Sequence, residues 1–431
     1  MTSVLDSILL QNNFSTPAIR SIWSDDNKIS KQLAVEAALA KIEGDLGIIP
    51  KSAADKIVEK AKVDNFDFLS LQKESAEKRH SLIALIHALQ EEVGGKEGEF
   101  VHYGVTTQDI VDTGIMLQTK EAYNIILDHT KDLISTLAKL TKEHRSTLMI
   151  GRTHGIHAIQ RRLKQLLEND VFVGSISGAV GSYASFFGRG REVEKAVLKE
   201  LGLAVPNISW QPSRDRFSEF ASVLGIFSGT LGKIGRELFT LMKTEIDEVH
   251  EPFKKGEVGS STMPQKRNPA LIEGLASLTQ PVFKDVDLMF QSLLIDGERD
   301  AIHWRNEWVA LPEITSYLDA QIVNATYILS GLKVNQDKML DNLNKQGALP
   351  YSERIMFEVG LKLGKQTAHE IVYQAAMTAL EENKDFIDLV YSDERVRLNF
   401  TKEDILSWVD PKNNIGECLE KVDEVLSQVT I

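Results

Sequence analysis

Residues 259–269 read Gly-Ser-Ser-Thr-Met-Pro-Gln-Lys-Arg-Asn-Pro, with two serine hydroxyls after a glycine and two cations close behind. Lys266 stands five residues beyond Ser261, Arg267 is its neighbour, and Asn268 closes the polar run. Gly259, Pro264 and Pro269 do not continue a helix, so the stretch is expected as a loop. Hydroxyls such as those of Ser260 and Ser261, held beside fixed cations, suit the binding of an anion and the movement of a proton. A solvated turn with a basic end has the same composition.

Three other stretches carry chemistry-bearing side chains. His102-Tyr-Gly-Val-Thr-Thr-Gln-Asp-Ile-Val-Asp112 places Thr106, Thr107 and Gln108 just before a helical pattern. Hydroxyls and free backbone N–H groups at a helix start suit a carboxylate or phosphate, and equally an ordinary cap. Gly151-Arg-Thr-His-Gly-Ile-His157 holds two histidines, but no glutamate stands in a His-Glu-x-x-His order and Gly155 interrupts the helix. A general acid or base fits His154 better than a metal site, and a buried structural histidine is the plain alternative. Gln211-Pro-Ser-Arg-Asp-Arg216 precedes another helical pattern. Its arginines suit an anion or, read alone, ion pairs with acids of a neighbouring helix. His80 and Glu298-Arg299-Asp300 read alone as polar surface.

Long helices must position these groups. There are 11 prolines, with none between Pro50 and Pro206, and proline-free stretches permit long helices. Apolar residues recur at helical spacing over Asp112–Arg145, with Asp112 or Thr113 as cap, over Ser218–Val249, and over Leu311–Ser330, with Gly331 as the stop. Alternating strand patterns are scarce. The fold class expected is all-α: an N-terminal helical part over 1–110, a central bundle of long helices over 111–345, and a C-terminal helical part over 346–431. The long segments are apolar on more than one stripe, which fits burial in an oligomer core.

The chain has 431 residues, 42% of them hydrophobic, enough for a large core. A net charge of −13 argues against a general nucleic-acid or anionic-membrane binder. Cys418 is the single cysteine, so neither an internal disulfide nor a cysteine metal cluster is expected. The N-terminal residues do not resemble a signal peptide and no apolar run is long enough to span a membrane, so a cytoplasmic location is expected.

Taken together and in this order, these stretches resemble the fumarase/aspartase superfamily. The loop at 259–269 resembles its signature, Thr-Thr-Gln-Asp-Ile-Val-Asp-Thr its first shared region, and Gly-Arg-Thr-His-Gly its second. The similarity runs from about Arg20 to the C-terminal helices. The resemblance implies β-elimination: a proton leaves the carbon next to a carboxylate, a C–N or C–O bond breaks, and fumarate or a related acid departs. It also implies a homotetramer whose active sites draw on three subunits, a small dicarboxylate or nucleotide substrate, and no metal or organic cofactor. By resemblance Ser261 is the base, His154 the general acid, His80 an orienting group and Lys266 a stabiliser of the serine anion. Thr106, Thr107, Gln108, Thr153, Ser260 and Asn268 then hold the substrate. Donors already aimed at the carboxylate are what such a reaction needs, because negative charge builds there.

Within the superfamily the chain most resembles the adenylosuccinate lyase branch, through His80, the run Thr-His-Gly-Ile-His-Ala at 153–158, Arg-Asp-Arg at 214–216, Arg20 and Glu298-Arg299-Asp300. That resemblance gives Arg20 and Arg299 to the phosphate or carboxylates and Gln211 to the substrate, and implies release of fumarate from a succinyl-amino nucleotide. Two departures keep other readings open. After Asp300 the run Ala-Ile-His-Trp-Arg-Asn-Glu-Trp is closer to 3-carboxy-cis,cis-muconate cycloisomerases, with Arg305 as a substitute contact. After Ala158 the chain goes to Ile-Gln-Arg-Arg-Leu-Lys-Gln and is several helical turns shorter than the family pattern. That shortening leaves room for a scaffold which keeps the fold without the chemistry.

Overall fold

The structure, a computed structural model, describes residues 3–149, 171–254, 256, 260, 262–263, 265–345 and 347–429. Its described residues are overwhelmingly helical, and one short antiparallel pair, Val249–His250 with Lys333–Val334, is the only sheet among them. The chain divides into two compact units. The first comprises Met1–Asp132, His157–Gly235 and Glu273–Ala325, the second Leu133–Ile156, Arg236–Ile272 and Thr326–Ile431.

The three expected long helices are present, with shifted ends. The first runs Thr107–Glu143, 37 residues, so it starts ahead of the expected cap. Asp112 does not cap it. That side chain is fully buried one turn inside the helix and serves an arginine instead. The cap is supplied by Asp109, whose Oδ2 accepts from the Thr106 N–H at 3.1 Å. The second runs Asp215–Leu241, shorter than expected at its C-terminal end, where a turn leads into the strand at Val249. The third runs Asn306–Ser330 with Pro312 inside it. Proline in the second turn removes one backbone hydrogen bond, and the apolar face of the remaining turns carries the helix through.

In the first unit these helices bury Ile110, Met116, Ile126, Phe217, Phe220, Leu224, Ile314 and Leu318. Tyr123, Phe172 and Phe220 form an aromatic chain with centroid spacings of 5.2 and 6.0 Å. Gly232 permits close helix packing: a Cβ there would lie 2.1 Å from Thr279 Oγ1. In the second unit the helices Ser352–Leu363 and Lys365–Glu382 close a separate small core with Ile355, Val359, Ile371, Phe386, Val390 and Ile405.

Candidate active site

In the first unit the start of the Thr107 helix is the centre of a polar cluster. Arg299 Nη1 donates to Thr106 Oγ1 at 2.9 Å, and Arg299 Nε donates to Gln108 Oε1 at 3.1 Å. Gln108 Nε2 donates to Asp112 Oδ2 at 3.1 Å and to the Gln211 carbonyl at 3.4 Å. Thr106, Gln108, Gln211 and Arg299, separated by up to 193 positions, therefore meet. Thr107 opens the helix beside them, half-buried.

Asp109 organises the loop that covers this helix start. Its carboxylate accepts from the backbone N–H of Ser177 at 3.0 Å and of Gly178 at 2.9 Å, from Ser175 Oγ at 2.9 Å, and from Gln211 Nε2 at 3.0 Å. Burial pushes the Asp109 carboxyl up, and these donors pull against that. Gly178 sits at φ +79, a conformation that glycine adopts without strain. Gln211 is fully buried, and its Oε1 has no hydrogen-bond partner among the described residues.

Beneath the cluster lies a buried ionic group. Arg214 reaches Glu307 through Nε and Nη2, and Asp112 through Nη1 at 2.8 Å and Nη2 at 3.1 Å. All three side chains are shielded from water. Trp304 Nε1 adds a donor to Asp112 at 2.7 Å, and the guanidinium lies 4.8 Å from the Trp210 ring. Burial opposes the Arg214 charge, but Asp112 and Glu307 hold it above its ordinary value. One cation faces two carboxylates. Burial pushes the Glu307 carboxyl up to about 7, and Arg214 limits the rise. The ion-pair reading of the Gln211–Arg216 stretch thus holds for Arg214.

Arg20 and His80 hydrogen-bond within their own segments. Arg20 is engaged by its own segment: Nη1 donates to Ser15 O at 3.0 Å and Ser15 Oγ at 2.8 Å, and Nη2 to Asn12 Oδ1 at 2.8 Å. His80 caps the helix Ser81–Val93, its Nδ1 accepting from the Ile83 N–H at 3.3 Å. Arg305 is exposed at the turn after Trp304.

In the second unit the described residues of the signature loop turn about Ser260 and Met263. Ser260 Oγ accepts from the N–H groups of Thr262 at 3.3 Å and Met263 at 3.1 Å, and Lys266 N–H closes on Met263 O at 2.9 Å. The Lys266 side chain is exposed, and Asn268 is half-buried. Arg267 lies over the Phe253 ring at 4.8 Å. Arg267 and Asn268 line a cleft of ≈ 380 Å³ with His250, Glu251, Phe253 and Lys333. Ser261, Thr153 and His154, with His157, lie outside the described residues. No group of three or more acidic, histidine or cysteine side chains suited to a metal occurs among the described residues.

A family profile described as Lyase matches residues 10–169 and 156–283, and one described as Adenylosuccinate lyase C-terminus matches 348–425. The chain belongs to the fumarate lyase superfamily. The two Lyase matches overlap over residues 156–169. An N-acetyl-S-(2-succino)cysteine lyase of Enterococcus italicus is 52% identical, over 98% of this chain and 97% of that protein. An adenylosuccinate lyase of Methanocaldococcus jannaschii is 37% identical, over 96% and 94%. Among solved structures, the 3-carboxy-cis,cis-muconate lactonizing enzyme of Pseudomonas putida superposes with a TM-score of 0.88 at 30% identity, covering 98% of both chains.

Sequence reasoning did not single out Asp109, Asp112, Glu307 or Trp304 as supports of the site in this fumarate lyase. Asp109 and Asp112 lie within the stretch it did single out. Glu307 carries no local signal, because its partner Arg214 is 93 positions away.

Proposed function

We propose that this fumarate lyase cleaves the C–S bond of a succinylated cysteine, releasing fumarate and a thiol. The observation that carries this reading is the 52% identity, along nearly the whole chain, to an N-acetyl-S-(2-succino)cysteine lyase.

In this reading a base takes a proton from the methylene carbon of the succinyl group. The C–H electron pair becomes the new double bond, and the C–S pair leaves with sulfur. Ser261 is the base, with Lys266 and Ser260 nearby in sequence. Arg299 and Thr106, which meet in the first unit, are the proposed donors to the carboxylate on which charge builds. A thiol of ordinary pKa about 8.5 leaves more readily than an amine, so the demand on the acid, His154, is modest. The exposed Ile226, Phe283, Phe290, Leu294, Val309 and Val323 of the first unit support self-association, and a homotetramer is the proposed state. The location proposed is the cytoplasm. Among the described residues no helix is long and apolar enough to cross a membrane.

The match of residues 348–425 to an adenylosuccinate lyase C-terminus favours a second reading, release of fumarate from a succinyl-amino nucleotide. Incubating the protein with N-acetyl-S-(2-succino)cysteine, adenylosuccinate and 3-carboxymuconate separates the cases. The expected outcome is matched release of fumarate and free thiol, with the highest kcat/KM on the thioether. A higher kcat/KM on adenylosuccinate overturns the thioether assignment. Turnover of none of them favours a scaffold that keeps the fold alone.

A further inference from the structure

Resting on the elimination reading, we propose that Asp112 is a positioning residue that sets, through Gln108, the plane of the Arg299 guanidinium for a substrate carboxylate. Asp112 has no exposure and cannot meet a substrate itself. It is held from two sides, by Arg214 at 2.8 and 3.1 Å and by Trp304 Nε1 at 2.7 Å. Its Oδ2 and the Gln211 carbonyl are both acceptors facing Gln108, so both select the NH2 end of that amide. A flipped amide would press its oxygen against the carboxylate and carbonyl and its NH2 against a guanidinium. The amide oxygen of Gln108 therefore faces Arg299 Nε at 3.1 Å.

With Nε on Gln108 and Nη1 on Thr106 Oγ1, two sides of the guanidinium are fixed. Nη2 makes no hydrogen bond to a described residue, and Arg299 is exposed. A pinned fork with one free edge suits a carboxylate better than a mobile one, because less rotamer freedom is lost on binding. Asp112 is thus the buried end of a chain of contacts, Asp112–Gln108–Arg299, whose other end meets the anion.

The test is a double-mutant cycle on the full chain, read by calorimetric titration with succinate and with fumarate. Asp112→Asn and Gln108→Met are each paired with Arg299→Lys. Gln108→Met leaves the Arg214–Asp112–Glu307 group whole and covers the case in which Asp112→Asn does not fold. Each single variant is expected to weaken succinate binding about tenfold, the scale of one hydrogen bond to a charged group. Each double variant is expected to bind no more weakly than Arg299→Lys alone. In turnover each single variant lowers kcat/KM, with a fall in kcat because charge builds on the same carboxylate, and each double variant falls no further than Arg299→Lys alone. Additive losses, unchanged binding in Gln108→Met, or no dicarboxylate binding by the wild type each overturn the proposal. Thioether turnover with additive losses would leave the proposed function standing. Coupled losses without turnover would leave the positioning role standing and sink the proposed function.

Discussion

Arg214 and Glu307 meet as a fork on a carboxylate, Nε to Oε1 at 2.6 Å and Nη2 to Oε2 at 2.5 Å, with neither side chain touching water. The pair joins the start of the helix Asp215–Leu241 to the start of Asn306–Ser330, and Asp112 brings in the helix Thr107–Glu143. Three helix starts around one guanidinium fix the floor under Thr106, Gln108 and Arg299.

Replacing Arg214 by methionine leaves two carboxylates buried together without their cation. Removing one partner of a buried ion pair costs about 3–5 kcal/mol, and the expected outcome is a loss of that order in urea unfolding. Arg214→Lys should recover only part of it, since a point charge does not fork onto two carboxylates. Full stability in Arg214→Met would remove the buried group from the account of the fold.

Glu43 has no exposure, and neither carboxylate oxygen has a hydrogen-bond partner among the described residues. Burial first, then Glu36, raises its pKa from 4.5 to about 8. A carboxyl whose folded pKa is raised contributes its stability below the unfolded value. It loses that stability as pH rises through the window from about 4.5 to about 8. Glu43→Gln removes the proton from that balance. Its melting temperature should exceed the wild type's at pH values above this window and match it near the lower end. The matching difference in unfolding free energy is on the order of a few kcal/mol. Equal melting curves above the window would show that the folded pKa of Glu43 is not raised above its ordinary value.

Ser261→Ala should reduce kcat on the preferred succinyl substrate by about 10²–10⁴-fold, the range of a positioned general base, with an unchanged melting temperature. Stopped-assay fumarate release with circular dichroism alongside reads both quantities. Retained turnover would move the base elsewhere.

His154→Gln should cost less on a thioether than on a succinyl-amine, since a thiolate of pKa about 8.5 departs with little proton transfer. The ratio of the two losses, from kcat/KM on each substrate, measures this. Equal losses would mean that His154 acts on something other than the leaving atom.

Prolonged chelation with dialysis should leave kcat/KM where it was. A loss restored by a divalent cation would return the histidine pair His154 and His157 to consideration as ligands.

The sequence by itself determined the all-α class, the existence of the three long helices and the family. Each of these rests on local order: proline-free runs, apolar spacing near 3.6 residues, and short motifs in a fixed succession. It also marked Thr106, Gln108, Gln211 and Arg299 one by one. What only the tertiary structure decided is that these four meet, and on what they rest. Asp112 read as a cap and is an ion-pair partner, because whether a carboxylate faces water or a guanidinium depends on a residue 102 positions away. Glu307 carried no local signal, because its partner Arg214 stands 93 positions away. Local pattern fixes where a helix forms. Which buried charges face one another follows from how helices pack, and sequence spacing does not encode that distance.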